Sequence, residues 1–162
     1  MSDQQFMQRA IELAHENVKR GGEPFGAVLV RDGQVVAEGV NETYKEHDST
    51  AHAEIQALRN ASKEHGVVRH FGTVMYASGI PCAMCMAAMI QAGVDKVIYC
   101  AGDDMGQAYG WSTEHLYKRM QGALGEQGIE VVHMPNPDKL LVFEAYKERF
   151  GLGENEHMKQ AK

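Results

Sequence analysis

Two apolar runs, Gly26-Ala27-Val28-Leu29-Val30 and Val35-Val36-Ala37-Glu38-Gly39-Val40, are separated by only Arg31-Asp32-Gly33-Gln34. An Asp-Gly pair between two such runs reads as a tight hairpin turn, because those positions tolerate the positive φ the turn demands. An antiparallel pair is therefore expected in the first quarter of the chain. The segments around it change period. Phe6, Met7, Ala10, Leu13, Ala14 and Val18 recur at steps of three and four, an amphipathic helix ended by Gly21-Gly22. Ala51, Ile55 and Leu58 repeat that pattern over residues 51–63, with Asp48, Ser49 or Thr50 available to cap the first turn. Residues 73–77 read as a strand, 83–91 as a helix stopped by Gly93, and 96–101 as another strand. Beyond these, a helix is expected over 115–124, a strand over 129–132 and a last helix over 139–150. Helices alternating with strands define a layered α/β domain.

The chain has 162 residues, 44% of them hydrophobic and 23% charged, which fits one globular domain with a real core. The polar stretch 151–162 reads as a disordered tail. No apolar run approaches the roughly 18 residues of a membrane span, and the first residues carry neither a basic nor a hydrophobic leader, so a cytoplasmic protein is expected. A net charge of −6 disfavours a nucleic acid partner, which would require clustered Lys and Arg. Cys82, Cys85 and Cys100 are odd in number and two are three apart, so they form no secreted disulfide framework; metal or redox chemistry is the alternative. Cys100, ending an apolar strand, reads as a buried small hydrophobe. Met84, Met86 and Met89 read as core packing, and the histidines at 15, 47, 65, 70, 133 and 157 as surface or capping groups.

Two short motifs carry chemistry: His52-Ala53-Glu54 opening one helix and Pro81-Cys82-Ala83-Met84-Cys85 opening the next. Cys82 and Cys85 are i and i+3, so their sulfurs share a face, and first-turn amides favour negative charge there. One imidazole and two thiolates suit tetrahedral zinc and leave a fourth position open, the arrangement of a catalytic site. His52 and Glu54 are two apart, which does not place them on one face of a regular helix; they converge only where the helix begins. A carboxylate there can take a proton from an acidified water, pass one to a heteroaromatic ring nitrogen and another to departing ammonia. A Cys-x-x-Cys pair alone would equally suit a thioredoxin-like dithiol; His52-Ala53-Glu54 favours zinc.

H-x-E followed by P-C-x-x-C is the signature of zinc deaminases of nucleobases. Together with "PFGAV" at 24–28, "GVN" at 39–41 and "TAHAEIQALR" at 50–59, it makes the chain resemble the cytidine and nucleobase deaminase superfamily. That resemblance implies a single zinc-dependent deaminase domain over 1–150, built as a three-layer α/β/α sandwich on a five-stranded mixed sheet. His52, Cys82 and Cys85 would hold Zn2+ and Glu54 would shuttle protons. Phe25 would stack on the base, with the Asn41 side chain and the Ala53 amide reading its edge. It also implies a homodimer, with C-terminal segments exchanged between copies.

Within the superfamily, "GGEPFGAVLVRDGQVVAEGVN" and the register Ala108-Tyr109-Gly110-Trp111 are similar to bacterial guanine deaminases of this fold. The substrate implied is guanine, with Trp111, Glu114 and His115 as further contacts. Ile80 stands where those enzymes have Glu before Pro-Cys, and Ser112-Thr113 where they have acidic residues, Glu114 following one position later. Alternatives left open are cytosine or another amino-heterocycle, a tRNA adenosine, and a catalytically silent zinc module serving as a binding partner.

Overall fold

The computed structural model describes residues 1–151. It divides into two compact units, Met1–Met120 and Gln121–Lys162. In the first, α1 (Asp3–Lys19) leads to the hairpin β1 (Gly26–Arg31) and β2 (Gln34–Val40), then to the short α2 (Thr43–Glu46) and α3 (Ala53–His65). After these come β3 (Thr73–Gly79), α4 (Ala83–Ala92), β4 (Lys96–Ala101), α5 (Asp104–Tyr109) and α6 (Glu114–Arg119).

Asp32 and Gly33 take φ of 50° and 71°, so the hairpin turns where the Asp-Gly pair predicts. The sheet order is β2-β1-β3-β4; β1 pairs antiparallel with β2 and β3, and β3 pairs parallel with β4, making the sheet mixed. β2 and β3, both antiparallel to β1, run parallel to each other, so the β2-to-β3 step crosses over through α3 and the β3-to-β4 step through α4.

Alternation along β1 assigns its two faces. Val28 and Val30 join Phe6, Ala10, Leu13 and Tyr76 under α1. Ala27 and Leu29 face the other way and join Ala53, Ala57, Leu58, Met75, Cys85 and Met89 beneath α3 and α4. Three layers result, as expected. Close approach between layers depends on two glycines. A Cβ at Gly26 would stand 2.3 Å from the Ala10 carbonyl oxygen, and one at Gly39 would stand 2.2 Å from that of Ala53.

Among the described residues four strands form rather than five. Residues 129–132 make no ladder with any described strand, and Ile129, Val131 and Val132 are exposed. Apolar, β-branched composition supplies the pattern of a strand but not the neighbouring edge whose hydrogen bonds make one. The expected helix over 115–124 stops at Arg119, while α5 arises in a segment to which the sequence reading assigned no element.

Cys100 is exposed, contrary to expectation, because β4 is the sheet's last strand and its pattern is largely open. His70 is buried instead of capping the surface. Its Nε2 lies 2.9 Å from Ser62 Oγ, and burial holds its pKa below the ordinary histidine value.

In the second unit, α7 (Leu141–Phe150) forms the last expected helix. Its apolar side chains Leu141, Val142, Phe143, Tyr146 and Phe150 are all exposed, and Tyr146 and Phe150 rings lie 5.0 Å apart. Apart from Gly151, the polar tail of the sequence lies outside the described residues.

Candidate active site

Both chemical motifs sit at helix starts, and each start is set by the chain just before it. Ahead of α3, Asp48 Oδ1 accepts hydrogen bonds from the Thr50 amide at 2.8 Å and its hydroxyl at 2.7 Å. That Asx-type turn ends α2's excursion and delivers His52 as the residue capping α3. None of Asp48, Ser49 or Thr50 occupies the cap. His52 has φ −68° and ψ 159°, so it is extended, and the helix begins only at Ala53. This is how a two-residue spacing brings His52 and Glu54 into one space. Cys82 does the same for α4, with φ −73° and ψ 168°, leaving Cys85 inside the first turn.

The ligand atoms of His52, Cys82 and Cys85 all lie within 4.8 Å of one another. His52 Nδ1 is 3.6 Å from each sulfur. Zinc–nitrogen bonds of about 2.0–2.1 Å and zinc–sulfur bonds of about 2.3 Å, at a tetrahedral angle, require about 3.6 Å between those atoms. The residues present therefore fit zinc in distance as well as in donor type. Glu54 Oε2 stands 3.4 Å from Cys85 Sγ, beside the site but not among its three ligands.

The electrostatics agree. A hydrogen bond from Cys85 brings the Cys82 thiol down to about 4, outweighing the opposing cost of burial. Cys85 is displaced upward, by that bond first and burial second. The bond to Cys82 raises His52, and desolvation raises the buried carboxyl of Glu54. Thiols and a carboxyl competing for protons in one dry pocket form a concentration of negative charge that a divalent cation neutralises.

A cavity of about 370 Å³ opens over these groups, within the roughly 300–1,000 Å³ range of small-molecule sites. Phe25, Asn41, Trp111 and His115, all expected contacts, line it. Phe25 and Trp111 meet edge to face with centroids 5.1 Å apart, building an aromatic wall. Gly110, at φ 81°, ends α5 and turns Trp111 toward that wall. Asn41 Oδ1 accepts from the Thr43 amide at 3.1 Å and hydroxyl at 2.9 Å, which assigns the amide and leaves its Nδ2 as a donor. Ala53 sends its methyl into the core, and its amide belongs to the opening turn of α3.

Glu114 is not brought to the cavity. Its side chain is 69% exposed and pairs with Lys118 at 2.7 Å, one helical turn on, a geometry that points both outward. Sequence reasoning passed over Glu23, Met105 and Leu116, which line the cavity, read Met84, also in its wall, as core packing, and singled out Ile80 only as a departure. It also missed Tyr117, whose hydroxyl donates to the Pro81 carbonyl at 2.6 Å and so ties α6 to the turn presenting Cys82. No local pattern marks these residues, since they reach the site from the α1–β1 turn, α4, α5 and α6, elements far apart in the chain.

A zinc site of one histidine and two cysteines, with a neighbouring glutamate, at two helix starts above a mixed sheet defines a nucleobase-type zinc deaminase. The chain belongs to the family described as "Cytidine and deoxycytidylate deaminase zinc-binding region", which matches residues 1–101. It is similar to guanine deaminase of Bacillus subtilis (strain 168), with 35% identity over 148 residues, 91% of this chain and 95% of that one. The crystal structure of guanine deaminase from Bacillus subtilis superposes with a TM-score of 0.85 at 34% identity, covering 95% and 99% of the two chains. A tRNA-specific adenosine deaminase of Buchnera aphidicola subsp. Baizongia pistaciae is 37% identical over 116 residues, 72% of each chain. A structure of guanine deaminase from Nitrosomonas europaea matches with a TM-score of 0.64 at 25% identity, over 82% of this chain and 69% of that one.

Proposed function

We propose that the protein is a guanine aminohydrolase, converting guanine and water into xanthine and ammonia. The observation that carries this reading is one cavity, lined by Phe25, Asn41, Trp111 and Glu54, directly over His52, Cys82 and Cys85. The near full-length similarity to the guanine deaminase of Bacillus subtilis supports guanine as the base.

His52, Cys82 and Cys85 hold zinc, which supplies the acidity that brings water to a pKa of about 7. Phe25 and Trp111 fix the plane of the base and exclude bulk water. Asn41 Nδ2 donates to a ring or carbonyl acceptor, and the amide of Ala53 and the ring of His115 offer further polar contacts. Glu54 takes a proton from the attacking water and delivers it to the ring nitrogen beside the amino-bearing carbon. It then takes the second proton from the hydroxyl now on that carbon and passes it to the departing amine, which leaves as ammonia while the carbonyl forms; without that proton the leaving group would be amide ion, far too basic to depart.

The test is ammonia release by the zinc-loaded protein across guanine, cytosine, adenine, their nucleosides, pterins and aminotriazines. Guanine is expected to show the highest kcat/KM. Preference for cytosine would move the assignment to another branch of the family, and release from no substrate would leave a silent zinc module.

We also propose that residues 1–150 act as one deaminase domain in a cytoplasmic homodimer, with C-terminal segments exchanged between copies. Free thiols used as metal ligands suit a reducing compartment, and no described helix is long and apolar enough to cross a membrane. Dimerisation is supported by the uncovered apolar face of α7 and by exposed Ile90 and Tyr99 on α4 and β4. Light scattering should give about twice the 17.9 kDa chain mass, and a monomer at working concentration would refute the pairing.

A further inference from the structure

The cavity is lined by two carboxylates, and the chemistry above uses one of them. Glu54 stands at the reaction centre; the other is Glu23, in the turn between α1 and β1. Glu114, the carboxylate the sequence offers for base recognition, points away from the cavity. A carboxylate that accepts from the N–H groups of the base must therefore come from elsewhere.

Glu23 is held firmly at the cavity wall. Its carbonyl accepts hydrogen bonds from Asn17 Nδ2 and from the Phe25 amide, both at 2.8 Å. The same Asn17 Nδ2 donates to the Asn41 carbonyl at 2.8 Å, so one buried side chain of α1 ties the backbone of Glu23 to that of Asn41. Gly22 lets this happen, because a Cβ there would stand 2.4 Å from Asn17 Nδ2. Pro24 further restricts Glu23 to extended conformations. The Glu23 carboxylate, in contrast to its backbone, makes no hydrogen bond or ion pair with any described residue.

This anchored, half-buried acceptor makes no hydrogen bond through its carboxylate among the described residues, feels only the longer-range charge of the His52 imidazole across the cavity, and is free to meet a donor on the ligand. We infer that Glu23 is a specificity-determining residue that accepts a hydrogen bond from a ring N–H of the free base. This rests on the reading of the site as a guanine aminohydrolase. Besides its exocyclic amine guanine has two such groups, N1–H next to the amino-bearing carbon and the N–H of the five-membered ring. The second is replaced by the glycosidic bond in a nucleoside, which would leave the carboxylate facing a carbon substituent.

The experiment compares the zinc-loaded wild type with Glu23→Gln and Glu23→Ala on guanine, 1-methylguanine and 9-methylguanine. A charge-assisted hydrogen bond corresponds to roughly 10- to 100-fold in binding, so KM for guanine should rise by about that factor while kcat changes much less. With the analogue whose methyl group replaces the recognised N–H, wild type and both variants should differ by less than about threefold. A mutational penalty that disappears only with 9-methylguanine identifies the five-membered ring, and one that disappears only with 1-methylguanine the six-membered ring. A KM for guanine within about twofold of wild type in Glu23→Ala overturns the inference. So does an equal penalty on all three bases, which would mean a field or packing effect. Guanine turnover absent from the wild type itself would instead remove the functional reading, and the Glu23 assignment with it.

Discussion

Glu54→Gln is expected to keep zinc at one equivalent per chain and to lose turnover by at least 10²–10⁴-fold, the usual contribution of a positioned acid–base group. The glutamine has the same shape and still fills the buried space beside Cys85 Sγ, 3.4 Å from Glu54 Oε2, so the fold and ligand set have no reason to change. What it lacks is the ability to take a proton from water and return it. Burial already lifts the Glu54 pKa above the ordinary carboxyl value, bringing it nearer the working pH, where one group can serve as base and then acid. Metal analysis and steady-state ammonia release on the same preparation decide the matter. A kcat within tenfold of wild type with full zinc occupancy would show that protons travel by another group.

Gly39→Ala should be nearly as damaging, though it lies on a strand and touches no ligand. The added methyl would sit 2.2 Å from the Ala53 carbonyl oxygen and 2.4 Å from the Ala57 nitrogen, both backbone atoms of α3. No rotamer change relieves a clash with helix backbone, so α3 must lift from the sheet, at about 3 kcal/mol by the scale of overpacked cores. For a chain of this size that corresponds to roughly 6–12 °C in Tm. Because His52 immediately precedes α3, the same displacement should weaken zinc binding. Calorimetry and a zinc competition titration test both; unchanged Tm and zinc affinity would mean that β2 and α3 do not approach this closely.

The parts legible in the sequence are those written in short-range chemistry. The β1–β2 turn needed only Asp32-Gly33 and the apolar runs beside it. The three ligands and Glu54 were legible because zinc admits few donor types and helix starts bring nearby residues together. The even spacing of His52 and Glu54 posed a conflict with helical geometry, and the extended His52 at the cap resolves it. Misreadings occurred where a residue's environment comes from distant chain. Cys100 has the neighbours of a core strand, yet β4 ends the sheet and leaves it open. His70 looked like a surface group because nothing local announces Ser62 beside it. Residues 129–132 have strand composition without a partner edge.

The sequence by itself determined the reaction class, since an imidazole, two thiols and a carboxylate at those intervals allow little besides a zinc aminohydrolase centre. Only the tertiary structure decided which side chains line the cavity. Glu23 and Phe25 come from the turn between α1 and β1, Asn41 from the end of β2 and Trp111 from the segment after α5, while Glu114 points away from the cavity. Metal ligands are set by bonds a few ångströms long between residues close in the chain or at helix starts, whereas a cavity wall is assembled by the packing of α1, the sheet and α5. That packing depends on all the layers at once, and no local pattern encodes it.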